Sequence, residues 1–315
     1  MPTFSILIPA FKVKFLREAI ASCIVQTYAD FEVIIVDDCS SENLKDVVAA
    51  FQDFRIHYYR NDRNIGAINV VDNWNKCLSL SSGEYVICMG DDDKLLPNCL
   101  SLYADLQKRY PHVDVYHTWT QIIDENSEIV ALQEPRPEWE SALSALYFRW
   151  DCRWKQFIGD FCFRAKALKE AGGFYKLPLA WGSDDSSVFR AAMKGGIANT
   201  QQFGFQYRVN RYTITNSGNQ KMKAEAHLLE KQWFQNVLQT CPLVCKTDIL
   251  FKRMLMFQLD DHYRGKIASM LEEDLTNSVR NLKYWLDNKN KYSFTASYIW
   301  KMFIHVVRKT KRISL

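Results

Sequence analysis

The chain has 315 residues, 48% of them apolar and 14% aromatic, with a formal net charge of +4. That length holds one large domain or two with ample core, and the composition excludes a disordered chain. The mild charge offers no case for a nucleic-acid partner, although Lys301, Arg308, Lys309, Lys311 and Arg312 gather near the C-terminus without an acid among them.

Met1-Pro2-Thr3-Phe4 enters a strand pattern at once, with no basic segment and apolar stretch of a secretion signal. No apolar run approaches the roughly 20 residues that a membrane-spanning helix needs. Nine cysteines are scattered, several within apolar patterns (Cys23, Cys77, Cys88). An odd number without an export signal favours reduced thiols and a cytoplasmic location. Cys241 and Cys245 lack the second pair that a zinc site requires.

In chain order, residues 4–8 read as a short apolar strand ending at Pro9-Ala10-Phe11, and 14–26 as a helix. Residues 31–36 form a second buried strand that closes on Asp37-Asp38, and the Ser-Ser-Glu-Asn turn at 40–43 caps a helix over 44–51. A strand at 56–59, the loop Arg63-Asn64-Ile65-Gly66 and a helix through Leu78 lead to a fourth strand, 85–89. Strand and helix alternate, which predicts a parallel sheet with right-handed crossovers over the first hundred residues. The pattern then loosens: a helix over 97–110, strands over 113–123 and 128–132, and a Pro-rich exposed loop at 133–138. A helix at 141–149 and a strand at 157–163 follow. Another helix is expected after Asp184-Asp185, with a last sheet segment over 198–209. From about Lys221 only helical spacing remains.

The fourth strand runs into Gly90-Asp91-Asp92-Asp93. Ligands in open α/β sheets bind beyond the carboxyl ends of strands. Three carboxylates placed there repel one another and call for a cation, and hard oxygen donors suit Mg²⁺ or Mn²⁺. A solvated acidic turn is the other reading of such a triplet. Neither a G-x-G-x-x-G nor a G-x-x-x-x-G-K-[ST] loop is present, which argues against a dinucleotide oxidoreductase and a P-loop ATPase.

Ser5-Ile-Leu-Ile-Pro-Ala-Phe11, Val33-Ile-Ile-Val-Asp-Asp-Cys-Ser40, Arg63-Asn-Ile-Gly66, Gly90-Asp-Asp-Asp93 and Asp184-Asp185 together resemble the ordered motifs of inverting family 2 glycosyltransferases with the GT-A fold, over roughly residues 3–215. The resemblance implies a Rossmann-like, mostly parallel α/β sheet flanked by helices. Residues 1–100 would form the nucleotide-sugar-binding half and 101–215 the acceptor-binding half, with 216–315 a C-terminal helical region ending in a basic amphipathic tail. It also implies a nucleotide-sugar donor, UDP being the expected nucleotide, and a saccharide or lipid-linked saccharide acceptor in bacterial surface polysaccharide assembly. Pro9, Ala10 and Asp37 would line the nucleoside pocket, with Asp37 reaching the base and the loop holding Asn64 closing over it. Asp91 would bond the ribose, Asp92 would ligate Mn²⁺ or Mg²⁺, and Asp185 would be the base that deprotonates the acceptor hydroxyl. Asp184 stands where the family usually has Glu, and Gly90 where its fuller motif has a first Asp.

Other roles stay open for several of these residues. Asp38 and Asp184 could cap helices, and Arg208 and Arg211 could reach a diphosphate or lie on the surface. Trp150, Trp154 and Trp181 could stack on sugars or pack in the core, while the six histidines show no ligand spacing. A nucleotidyltransferase and an inactive carbohydrate-binding protein are the competing functions. The first would want a glycine-rich basic loop after the first strand, where Pro9-Ala10-Phe11-Lys12 stands. The second has no use for Asp92 and Asp185 together. In the tail, Ile299, Phe303, Val306 and Val307 share one helical face beside Trp300 and Ile304, followed by the basic cluster. That pattern suits either a helix lying on an anionic membrane at the inner face of the plasma membrane or a packing face on this chain or a second copy.

Overall fold

The computed structural model describes residues 2–210 and 219–313. Its first half is built from β1 (Phe4–Ala10), α1 (Leu16–Ile24), β2 (Phe31–Asp37), α2 (Leu44–Ala49), β3 (Ile56–Arg60), α3 (Val70–Leu80) and β4 (Tyr85–Cys88). β1 pairs in parallel with β2 and β4, and β2 with β3. Every residue of β2 is buried, and of β1 only Pro9 is not fully so. Their alternate side chains enter two separate cores: Leu7, Ile34 and Val36 on one face, Ile6, Ile8, Val33 and Ile35 on the other. Strands covered on both faces are apolar at most positions, which is why they read as near-continuous runs; the buried exceptions Ser5 and Glu32 are hydrogen-bonded to each other, the Ser5 hydroxyl donating to Glu32 Oε1 at 2.6 Å.

The second half adds β5 (Lys94–Leu95), α4 (Cys99–Arg109), β6 (Val115–Ile123), β7 (Ile129–Leu132), β8 (Trp139–Glu140), α5 (Ala142–Trp150), β9 (Phe161–Arg164), α6 (Ala165–Glu170), α7 (Ser183–Ala192) and β10 (Ile197–Arg208). The strand order is β3-β2-β1-β4-β9-β6-β10-β5, with β7 on β6 and β8 on β10. Here the sheet is mixed: β9 runs antiparallel to both β4 and β6, while β6 and β10 are parallel.

Four helices complete the described chain: α8 (Gln220–Thr240), α9 (Asp248–Asn277), α10 (Leu282–Asp287) and α11 (Ala296–Ile313). Phe234 and Leu238 of α8 and Leu255, Leu259 and Tyr263 of α9 belong to the same core as Leu7 and Val86, so these helices are packed on the sheet. At the far end of α9, Ile267, Leu271 and Leu275 form a separate core with Trp285, Ile299 and Val306.

Three local expectations change. The strand expected from residue 157 begins only at Phe161, because the Asp160 carboxylate accepts from the Phe157 N–H (3.3 and 3.2 Å) and closes a 3₁₀ turn over Ile158–Asp160. The 133–138 segment is not an exposed loop throughout: Gln133 and Arg136 are buried, with the Lys155 carbonyl accepting from Gln133 Nε2 (2.5 Å) and Arg136 Nη2 (2.7 Å). The helix expected after Asp184-Asp185 starts at Ser183, so both carboxylates lie in its first turn.

Candidate active site

The carboxyl ends of β1, β2 and β4 meet at one edge of the sheet, in register at Ala10↔Asp37 and Leu7↔Cys88. The loops leaving them surround a cavity of about 460 Å³ lined by Pro9, Ala10, Asn64 and Asp91 to Asp93, with Asp38 and Trp74. Asp91 Oδ2 accepts from the backbone N–H of Phe11 (2.7 Å) and Lys12 (2.8 Å), tying the β1 loop to the β4 loop. Burial, then the neighbouring Asp92 charge, push its carboxyl up to about 6 against the pull of those N–H groups. Asp92 Oδ2 accepts from Asn210 Nδ2 at 2.8 Å, and burial raises its carboxyl as well. Asp93, raised by burial and by Asp92, accepts from the N–H of Gly90 (3.2 Å) and of Arg208 (3.0 Å). A side chain at Gly90 would sit 2.8 Å from Asp92 Oδ1 and 2.9 Å from Asp93 Oδ2, so the absent first Asp leaves a space these carboxylates use.

Asp37 lies behind this wall and is fully buried. Its Oδ1 accepts from the Ser40 N–H (2.7 Å), and its Oδ2 from the Tyr58 hydroxyl (2.6 Å) and the Arg60 guanidinium. Asp38 lines the cavity in its place. It does not cap α2, a role taken by Asn43. Instead its carboxylate accepts from Asn61 Nδ2 (3.0 Å) and the N–H groups of Ile65 (2.9 Å) and Gly66 (3.3 Å), while Asn64 Nδ2 donates to its carbonyl (2.9 Å). The loop expected to close over a nucleoside is thereby fastened to the end of β2.

A second cavity, of about 720 Å³, adjoins the first and shares Val70, Trp74, Asp93, Ile158 and Tyr207 with it. Asp184 and Asp185 line it, presented by the N-terminal turn of α7, whose exposed N–H groups favour negative charge. Gly182 precedes that turn at φ 85°, and a Cβ there would lie 2.6 Å from the Glu230 carboxyl carbon. Burial raises the Asp185 carboxyl, but the charges of Arg149 and Lys266 and two hydrogen bonds outweigh it, leaving Asp185 below the ordinary range. Asp184, half-buried at the cavity wall, is pushed up to about 7 by lost hydration and then by the Asp185 charge. The far wall comes from the C-terminal helices: His227 on α8, and Lys266, Ser269 and Met270 on α9.

Several expected roles are reassigned by this geometry. Arg208 is fully buried and reaches neither cavity: it donates to the carbonyls of Asp92 (2.8 Å) and Asp124 (3.0 Å), to Ser127 Oγ (3.1 Å) and to Glu18 Oε2 (2.8 Å). Arg211 lies outside the described residues. Trp150 is core, stacked on His262 with centroids 4.4 Å apart, and Trp154 binds Glu140 through its indole N–H (3.1 Å). Trp181 does line the second cavity. Trp74, Tyr207 stacked on Phe157 at 3.8 Å, His227 and Lys266 were not anticipated as site residues. Trp74 sits at helical spacing with Val70 and Val71 and reads as ordinary core, and nothing local marks the others.

A cation fits the first cavity in one way. Among the described residues no group of three or more His, Cys, Asp or Glu side chains could enclose a metal ion. The half-buried, mutually repelling carboxylates of Asp91 and Asp92 could supply one or two ligands, with the rest left to a bound diphosphate, as is usual for Mg²⁺.

Two adjoining cavities with carboxylates at strand and helix ends, on a sheet whose first half is parallel, are the arrangement expected of a GT-A glycosyltransferase fold. The chain belongs to glycosyl transferase family 2, whose sequence profile matches residues 5–171. It is 40% identical over 119 residues to the "Putative colanic acid biosynthesis glycosyl transferase WcaA" of Escherichia coli (strain K12), covering 36% of this chain and 42% of that one. It is 39% identical over 117 residues to the "GalNAc(5)-diNAcBac-PP-undecaprenol beta-1,3-glucosyltransferase" of Campylobacter jejuni, covering 36% and 37%. The matched segment spans about two fifths of the length of these curated relatives. Among solved structures, TarS 1-349 of S. aureus in complex with UDP-GlcNAc superposes with a TM-score of 0.65 at 15% identity, over 98% of this chain and 92% of that one. All nine cysteines are free, and no helix among the described residues is long and apolar enough to cross a membrane.

Proposed function

We propose that this chain transfers a sugar, with inversion, from a UDP-sugar to a hydroxyl of a saccharide acceptor in bacterial surface polysaccharide assembly. The observation that carries the reading is the shared wall of the two cavities, Val70, Trp74, Asp93, Ile158 and Tyr207. A sugar seated there has a nucleotide site on one side and the Asp184-Asp185 pair on the other. The UDP and lipid-linked acceptor assignments draw on the names of the TarS complex and the Campylobacter relative.

In this reading residues 1–100 bind the nucleotide, 101–215 bind the acceptor, and the helical region closes the acceptor side. Pro9, Ala10, Asp38 and Asn64 face the nucleoside, and Asp37 acts from behind by holding the β2 turn. Asp91 takes the ribose with the oxygen not bonded to Phe11 and Lys12. Asp92 would hold Mn²⁺ or Mg²⁺, which would neutralise charge on the departing diphosphate. Asp185 accepts the proton as the acceptor oxygen attacks the anomeric carbon and the bond from that carbon to the nucleotide oxygen breaks on the opposite face, a single displacement. The enzyme works in the cytoplasm, against the inner face of the plasma membrane when the acceptor is lipid-linked.

Calorimetric titration of UDP with Mn²⁺ or chelator, on the wild type and Asp92→Asn, tests the donor site. Binding should require metal in the wild type and weaken at least about tenfold in the variant, since losing even an outer-shell partner costs a metal site about that much. Equal affinity in all four cases would sink the assignment.

A further inference from the structure

We propose that Arg149 and Gln156 are positioning residues that clamp one carboxylate oxygen of Asp185 and leave its other oxygen facing the acceptor-side cavity. The inference rests on Asp185 being the base of the proposed reaction.

Arg149 Nε donates to Asp185 Oδ1 at 2.9 Å, and Gln156 Nε2 donates to the same oxygen at 2.6 Å. A purely structural Arg–carboxylate pair gains most from the two-pronged arrangement that occupies both oxygens. Here two donors from different elements converge on Oδ1, and no hydrogen bond to Oδ2 is found among the described residues. Arg149, Gln156 and Asp185 all line the cavity, where an acceptor hydroxyl would sit.

The clamp is itself held. Arg149 lies in the last turn of α5 and reaches the Trp154 carbonyl at 3.4 Å. On either side of Gln156, the Lys155 carbonyl is fixed by buried Gln133 and Arg136, and the Phe157 N–H by buried Asp160. A base that must meet one hydroxyl within hydrogen-bond reach needs a single orientation. Two donors on one oxygen supply it, and they favour the ionised form able to take a proton.

The charged and titratable groups around Asp185 come from three helices besides its own, which adds Asp184: Arg149 on α5, His227 and Glu230 on α8, and His262, Tyr263 and Lys266 on α9. Arg149 and Lys266 are the cations acting most strongly on it. Removing the Arg149 charge should therefore move its titration upward even with Lys266 in place.

Carboxyl-carbon NMR of Asp-labelled protein reads this without any substrate. The Asp185 resonance is the one missing from Asp185→Asn. In the wild type it should titrate below the ordinary Asp range. It should rise by about one unit or more in Arg149→Gln, rise less in Gln156→Leu, and stay near wild type in Arg149→Lys. The Arg149 Nε–H signal should exchange slowly in the wild type and rapidly in Asp185→Asn. An Asp185 titration unmoved in Arg149→Gln, or an Arg149 Nε–H equally protected without Asp185, overturns the clamp. Should Arg149→Gln fail to fold, Gln156→Leu and the exchange of the Arg149 Nε–H decide alone. Retained turnover in Asp185→Asn would instead refute the base assignment, and the titrations would still report on the clamp.

Discussion

The indole N–H of Trp181 donates to His227 Nε2 at 2.8 Å, joining the loop before the Asp184-Asp185 pair to helix α8. An indole can only donate, so Nε2 is the acceptor and the imidazole proton sits on Nδ1, facing Glu230 Oε2 at 3.1 Å. Burial, followed by the Lys266 charge, keeps His227 well below its ordinary range and therefore neutral. Burial pushes Glu230 up to about 8. A neutral relay of indole, imidazole and carboxylic acid thus fixes one wall of the acceptor-side cavity.

His227→Leu removes the acceptor for Trp181 and the donor for Glu230, leaving a half-buried indole N–H and the buried Glu230 carboxyl without these partners. The expected cost is about 1–3 kcal/mol of stability, read from urea unfolding. Metal-dependent UDP affinity should stay within about twofold, because His227 lines the second cavity and not the first; a twofold change is only about 0.4 kcal/mol.

Gly182→Ala places a methyl group against the Glu230 carboxyl and a non-glycine residue at φ 85°. Left-handed backbone and the clash together should destabilise by about 1–3 kcal/mol. Since Gly182 sets the start of α7, transfer should fall further than stability alone explains. Turnover measured well below the variant's melting temperature, beside calorimetric UDP binding, separates the two effects.

Asp91, Asp184 and Glu230 carry folded-state values raised to about 6, 7 and 8. Each therefore contributes stability that is complete below its unfolded value near 4 and is lost as pH rises through the raised one. Asp185, with its lowered value, opposes this only on acidification below about 4. His117, His227 and His262, held below the ordinary His range by burial, work the other way up to about pH 6.5, where their unfolded forms take up protons. Without divalent metal, the melting temperature should therefore fall between about pH 6.5 and pH 8.5. Mn²⁺ should restore more of it at pH 8 than at pH 5.5, since protons compete for Asp92, and Asp92→Asn should lose that difference. Differential scanning calorimetry with and without chelator measures both.

The early strands were legible because strands covered on both faces carry near-continuous apolar runs, as β1 and β2 do apart from Ser5 and Glu32. Loop positions at their ends followed from that alone. The choice between Asp37 and Asp38 was not legible. At the end of a strand, adjacent side chains turn opposite ways, and only the pairing with β3 shows that Asp37 faces Tyr58 and Arg60. Arg208 could not be placed because its anionic partner, Glu18, is 190 residues away. For the same reason the wall supplied by His227 and Lys266 left no mark: both sit in helical spacing that predicts packing and nothing more. The hidden 3₁₀ turn before β9 likewise depended on one carboxylate, Asp160, folding back on its own segment.

The tail resolves the two faces of its amphipathic pattern. Ile299 and Val306 are buried against α9 and Trp285, so the expected stripe is in part a packing face within this chain. Trp300 and Ile304 remain about half exposed (47% and 45%), with Lys301, Arg308 and Lys309 exposed on the same helix. An exposed indole and isoleucine among basic residues suit contact with an anionic headgroup layer, each cation adding on the order of 1 kcal/mol. Cutting the chain near Phe294 would uncover Ile267, Leu271 and Trp285 and confuse misfolding with lost binding. The clean comparison is Trp300→Ser, Ile304→Ser and Arg308→Glu combined, which leaves the buried positions intact. In liposome flotation the full chain should rise with anionic vesicles at low salt, separate from them at high salt and ignore neutral ones. The triple variant should stay at the bottom of the gradient throughout. Equal flotation of both proteins would place any membrane contact elsewhere, and flotation of neither would leave the tail a packing element alone.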